Sequence, residues 1–114
     1  MVNEPEWLHQ IERLVKAYAK AKAERVYIEQ FRKTKKALLM TQAENLDPQK
    51  YKSAASQEVY AYGHQEYKEM LESLQIATEE EVKCHWNLKQ REWKFEAWRT
   101  MQANDRAERQ RYGA

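Results

Sequence analysis

Residues 45–52 read NLDPQKYK, and this octapeptide decides how the chain folds. Pro48 disfavours helix at Asp47 and offers no backbone donor of its own. On either side the chain is nearly free of breakers. Its 114 residues hold two Pro and two Gly: Pro5 and Gly113 near the ends, Pro48 in this stretch and Gly63 soon after it. The sequence between them is rich in Ala, Glu, Lys, Gln, Arg and Leu, all good helix formers. The expected fold is therefore all-α, a single domain over 1–114. It comprises a helix over about 3–46, a turn over about 47–52, a short helix over about 53–62, a long helix over about 64–108 and a short basic tail over 109–114. A short turn between two long helices makes an antiparallel hairpin the expected arrangement, with each long helix roughly 65 Å at 1.5 Å per residue.

Working upstream, Asn3 followed by Pro5 and Glu6 reads as an N-cap, a first-turn proline and an acid at the positive helix end. Trp7, Leu8, Ile11, Leu14, Val15 and Tyr18 then recur at three and four. They continue more thinly through Val26, Tyr27, Ile28, Phe31, Leu38 and Leu39. Downstream, Ser53 or Ser56 restarts a helix, which Gly63 kinks or ends.

A third of the chain is charged and its mean hydropathy is −1.06, yet four Trp, seven Tyr and two Phe are too many for a disordered tail. The start MVNEPEWLHQ is acidic where a signal peptide needs a basic region and an apolar core. No apolar run approaches the roughly 18 residues of a membrane span. One cysteine makes no internal disulfide. These features lead us to expect a cytoplasmic protein with no membrane partner.

The net charge of +2 hides a sorted distribution. Residues 13–36 carry nine Lys or Arg against Glu24 and Glu29, a net of +7. Residues 58–82 carry seven Glu against Lys68, a net of −6, and residues 83–111 return to +4. Folding at residue 49 lays acidic beside basic, with Lys20, Lys22 and Arg25 facing glutamates. Arg32, Lys33, Lys35 and Lys36 are expected to face Tyr60, Tyr62 and Gly63 instead, leaving basic charge for another partner.

Candidate reaction chemistry fails on geometry. Cys84 and His85 are adjacent, so on a helix they diverge by about 100° and cannot converge on a metal without further ligands. Cys84 reads as a small buried apolar group. A thiol nucleophile would need a base and an oxyanion site from loops, and there is no glycine-rich phosphate loop. Glu79, Glu80 and Glu81 are consecutive and splay around the helix. The expectation is a non-enzyme with no metal and no cofactor.

The stretch 84–98, CHWNLKQREWKFEAW, holds three of the four tryptophans. On a helix Leu88, Phe95 and Trp98 share one face, which can meet Trp7, Leu8 and Ile11. Trp86 and Trp93, seven apart, share another, and Trp86 lies about 200° from Leu88. Two helices bury one face each, so Trp86, Trp93 and Ala97 are the expected interface of a homo-oligomer, the alternatives being a different protein partner or bases stacked on the rings. Tyr27 and Phe31 interleave with the basic run, as a base-stacking platform requires.

From AYAKAKAERVYIEQFRKTKKALL through ATEEEVKCHWNLKQREWKFEAWRTMQANDRAE the chain resembles small helical proteins of phage recombination modules, the UvsY-type recombination mediators. The likeness is of arrangement: a lysine-rich long helix, a polar turn, then a long helix ending in an aromatic, F-E-x-x-R-like segment. The resemblance implies oligomers of helical hairpins that bind single-stranded DNA and help load a recombinase onto strands covered by single-strand-binding protein. It places DNA contacts in the first half of the chain. The residues of matching type are Arg32, Lys33, Lys35 and Lys36, with Lys16, Lys20 and Lys22 upstream. This chain is shorter than those proteins and matches them by character rather than by an invariant motif. The function expected on these grounds is a sequence-independent, single-stranded-DNA-binding accessory factor of phage recombination. The alternative is a coiled-coil adaptor that binds proteins and no nucleic acid. A double-stranded-DNA reader is disfavoured because no short helix-turn-helix is visible.

Overall fold

The structure, a computed structural model, describes residues 2–113. It is all-helical, with three helices in the order α1 (Glu4–Leu46), α2 (Ala54–Gly63) and α3 (Gln65–Arg111), and the two long ones pack together. Each boundary has a local cause. Asn3 Oδ1 accepts the Glu6 N–H at 3.0 Å, and Glu4 and Glu6 add acid to the positive end of α1. The 43 residues of α1 stop one short of Asp47, whose Oδ1 accepts the Lys50 N–H at 3.1 Å and ties the Pro48 turn. Ser53, not Ser56, caps α2: its backbone is extended and its Oγ accepts the Ser56 N–H at 3.1 Å.

The break between α2 and α3 belongs to His64. Its ψ of 140° takes it out of helix, and its N–H still donates to the Ala61 carbonyl at 3.2 Å. Its Nδ1 accepts the Glu66 N–H at 3.0 Å, so one residue ends α2 and caps α3. Gly63 stays helical with negative φ, and a Cβ there would meet nothing within 4 Å. Gly63→Ala is therefore expected to stabilise the chain by about 0.4–1 kcal/mol, because alanine restricts the unfolded chain and strains nothing here. Urea denaturation checks it: an unchanged or lower midpoint would mean the His64 junction needs glycine's freedom. At the far end α3 runs to Arg111, past the expected boundary at 108. Arg109 and Arg111 sit in its last turn, where cations oppose the negative helix end.

The chain divides into two compact units, Met1–Ala19 with Val82–Ala114, and Lys20–Glu81. In the first, α1 and α3 run antiparallel with Trp7 against Phe95 and Trp98 at ring-centroid distances of 6.1 and 6.4 Å, and Tyr18 against His85 at 5.6 Å. Trp7, Cys84 and Leu88 are buried there, as the spacing predicts for the α3 stripe. Leu8 is a correction: it is 50% exposed, because Trp7 occupies the seam and the next helical residue points about 100° away.

In the second unit the two long helices are again antiparallel, and α2 completes the packing. Leu39 of α1, Ala61 of α2 and Tyr67 of α3 form its core cluster, with Met40 packed alongside. Arg25 spans the seam: its Nε and Nη2 donate to the two Glu81 oxygens at 2.7 and 3.2 Å, and Nη1 donates to Glu29. These carboxylates hold the guanidinium still further above its usual range, Glu81 before Glu29. Among the described residues nine hydrophobic side chains are buried, four of them alanine, while sixteen large ones are exposed. Of the large apolar side chains among the described residues, Trp7, Leu39, Tyr67 and Leu88 are buried.

Candidate nucleic-acid and assembly surfaces

The basic strip of residues 32–36 is divided by its neighbours. Lys35 Nζ lies 2.8 Å from Glu66, and Lys36 Nζ lies 3.3 Å from Glu58 and 4.9 Å from the Tyr62 ring centroid. The expectation that both lysines avoid glutamates is thus corrected. Glu58 and Glu66 flank the aromatic turn and reach back across it. Lys35 holds the Glu66 carboxyl below its ordinary range, so this pair contributes at neutral pH and is lost as acidification protonates Glu66. Tyr62, and then Glu58, hold the Lys36 ammonium above its ordinary range.

Arg32 is half-buried and Lys33 is exposed, and among the described residues no carboxylate lies within 4.0 Å of either. Lys20, Lys22 and Arg25, all expected to face glutamates, divide among themselves. Arg25 is fully engaged, whereas Lys20 and Lys22 are exposed and, among the described residues, pair with no carboxylate. Lys16 makes only a solvated pair with Glu12 at 3.1 Å, four residues away. Such exposed pairs hold little energy and yield readily to a phosphate.

Tyr27 and Phe31 stack with ring planes 4° apart and centroids at 6.2 Å, and Tyr27 is 68% exposed. Lys20, seven residues before Tyr27, lies on the same helix face. Lys33 lies about 200° round the helix from Phe31, so alternation along the sequence does not place those two side by side. The stacked pair, with Lys20 on its face, is what the structure brings together.

On α3 of the first unit Trp86 and Trp93 are 49% and 54% exposed and contact each other at 6.2 Å. His85 meets Trp86 edge-on at 5.0 Å, joining the pair to Tyr18. Ala97, four residues beyond Trp93, is exposed on the same stripe.

A group to which the sequence reading assigns no role lies at the end of α3, within the basic stretch 83–111. Arg99, Arg106 and Arg109 line an open groove with Trp98, Gln102, Glu4 and Glu96. The signal for it is the spacing of three, four and three along Arg99, Gln102, Arg106 and Arg109, which reading 109–114 as a tail cuts short. Among the described residues no cluster of three or more His, Cys, Asp or Glu could hold a metal ion, and no helix is long and apolar enough to cross a membrane. Comparison with protein families, curated proteins and solved structures gives no match to this chain.

Proposed function

We propose that this protein is a non-enzymatic accessory factor of phage DNA recombination that binds single-stranded DNA without sequence preference and works as a homo-oligomer. The observation that carries the reading is the exposed, parallel Tyr27–Phe31 stack on a helix face shared with Lys20. Bases stack on such faces whatever their identity, and nearby lysines, here unpaired among the described residues, supply the phosphate attraction. The arrangement shared with UvsY-type mediators supports the same reading and suggests a recombinase or single-strand-binding protein as a further partner. Exposed Trp86 and Trp93 support self-assembly, which repeats a weak DNA surface and multiplies its avidity. The sixteen exposed large hydrophobic side chains also favour a second reading, an adaptor whose partners are proteins alone.

A fluorescent oligothymidylate titrated over a range of salt separates the two. Tyr27→Ala with Phe31→Ala is expected to weaken binding about tenfold or more, since each stacked base contributes about 1–3 kcal/mol. The salt dependence should stay as it was, because the rings contact no phosphate. A wild-type protein with no affinity even at low salt would leave the adaptor reading in place.

A further inference from the structure

We infer that the C-terminal turns of α3 form a second contact site for DNA, one that holds the phosphodiester backbone through Arg99, Arg106 and Arg109. This rests on the single-stranded-DNA reading above and adds a surface in the second half of the chain, away from the DNA contacts that the resemblance places in the first half.

The argument begins with the seam of the first unit. Cys84, Leu88, Arg91, Phe95, Trp98, Gln102, Arg106 and Arg109 follow one another at steps of three and four, so they lie along one face of α3. Up to Trp98 that face packs on α1: Leu88 is buried, Phe95 and Trp98 meet Trp7, and Arg91 lies over the Trp7 ring at 5.5 Å. Helix α1 begins at Glu4, capped by Asn3, and Glu4 lines the groove where Trp98 ends the apolar run. Beyond that point the face turns to Gln102, Arg106 and Arg109, with Arg99 beside it over the Phe95 ring at 5.6 Å. A packing stripe thus becomes a guanidinium stripe where its helical partner starts.

Among the described residues none of these three arginines has a carboxylate within 4.0 Å, although Glu4 and Glu96 line the same groove. Arg25 of the second unit differs, being locked by two carboxylates. Along the helix axis Arg106 and Arg109 lie about 4.5 Å apart and Arg99 about 10.5 Å before Arg106, so the three guanidiniums form a row of forked donors, as an extended polyanion requires. Half-buried Trp98 at the groove and the Gln102 amide supply a stacking edge and a hydrogen-bonding group beside those cations. A polyanion with planar bases matches this set in charge and in shape. An acidic stretch of a second copy would match the charge alone.

The test compares the full chain with two variants against oligothymidylate, with mass in solution measured in parallel. Arg99→Ala/Arg106→Ala/Arg109→Ala should lower the slope of log affinity against log salt by about 2, since each lost single-strand phosphate contact removes about 0.7, and should weaken binding at least tenfold at low salt. Alanine keeps these turns helical. Glu4→Gln/Glu96→Gln should instead tighten binding a few-fold, a gain that damaged folding cannot produce. Wild-type binding with an unchanged slope in the triple variant would overturn the inference and leave the function reading standing. A triple variant of altered mass would overturn it in favour of a contact between copies. A wild type that binds no DNA would overturn both.

Discussion

Leu39→Ala is expected to lower stability by about 3 kcal/mol and the melting midpoint by about 10 °C or more, one of the two largest effects anticipated for a simple replacement in this chain. The second unit has a core of three residues, Leu39, Ala61 and Tyr67, each supplied by a different helix. Leu39 is 2% exposed, and Ala43 and Ala61 are fully buried. Ala43 and Ala61 have no side chain long enough to swing into the space a leucine vacates, and Met40 at the edge of the cluster fills it only in part, so a residual cavity adds to the lost transfer energy. A small domain has only about 5–15 kcal/mol in all. Leu38→Ala supplies the control one residue away: Leu38 is exposed, and its loss should change stability by no more than about 0.5 kcal/mol. Thermal melts followed by circular dichroism would decide it. Equal effects at the two leucines would mean that α2 does not dock as described.

These neighbouring leucines show what a sequence of this kind reveals and what it withholds. Punctuation was legible: Asn3, Pro48 and Ser53 each act within three residues of themselves, and short-range chemistry of that kind can be read directly. The buried stripe of Cys84 and Leu88 was legible too, because helical periodicity alone places it. Partners across the turn were not. Whether Lys35 and Lys36 meet tyrosines or glutamates depends on where α2 ends and how His64 redirects the chain, a matter of one residue of register. A lysine reaches several ångströms from its helix axis, so Glu58 and Glu66 capture both from either side of the aromatic turn. Alternation along the chain also misled at residues 27–33. Tyr27 and Phe31 are four apart and stack, whereas Lys33 is two from Phe31 and faces elsewhere. The arginines of α3 were concealed for the opposite reason. They continue a packing periodicity, but the positions carry charge, and a search for apolar stripes passes over them.

Replacing Trp86 and Trp93 together with glutamate should dissociate the protein to the 13.8 kDa chain at micromolar concentration while leaving its helical signal in place. Each indole has about 150–250 Å² to bury, and here about half of each lies in water. They touch each other and share a stripe with exposed Ala97, whose small side chain lets a neighbouring helix approach. Within the chain they pack on neither Leu88 nor Cys84, since their face is nearly opposite the seam. Glutamate therefore removes little from the fold, and it sets a charge where a second copy would have to desolvate it, at a cost of several kcal/mol. Sedimentation gives the mass and far-ultraviolet dichroism the fold. Trp86→Phe with Trp93→Phe should keep the assembly, because phenylalanine retains an apolar ring of similar reach. A wild-type chain that sediments as a monomer would remove the self-assembly half of the proposal. DNA binding would then have to arise from a single copy, with an affinity that no longer falls when the tryptophans are changed. Because avidity rises with copy number, the glutamate variant is expected to lose apparent DNA affinity by tenfold or more.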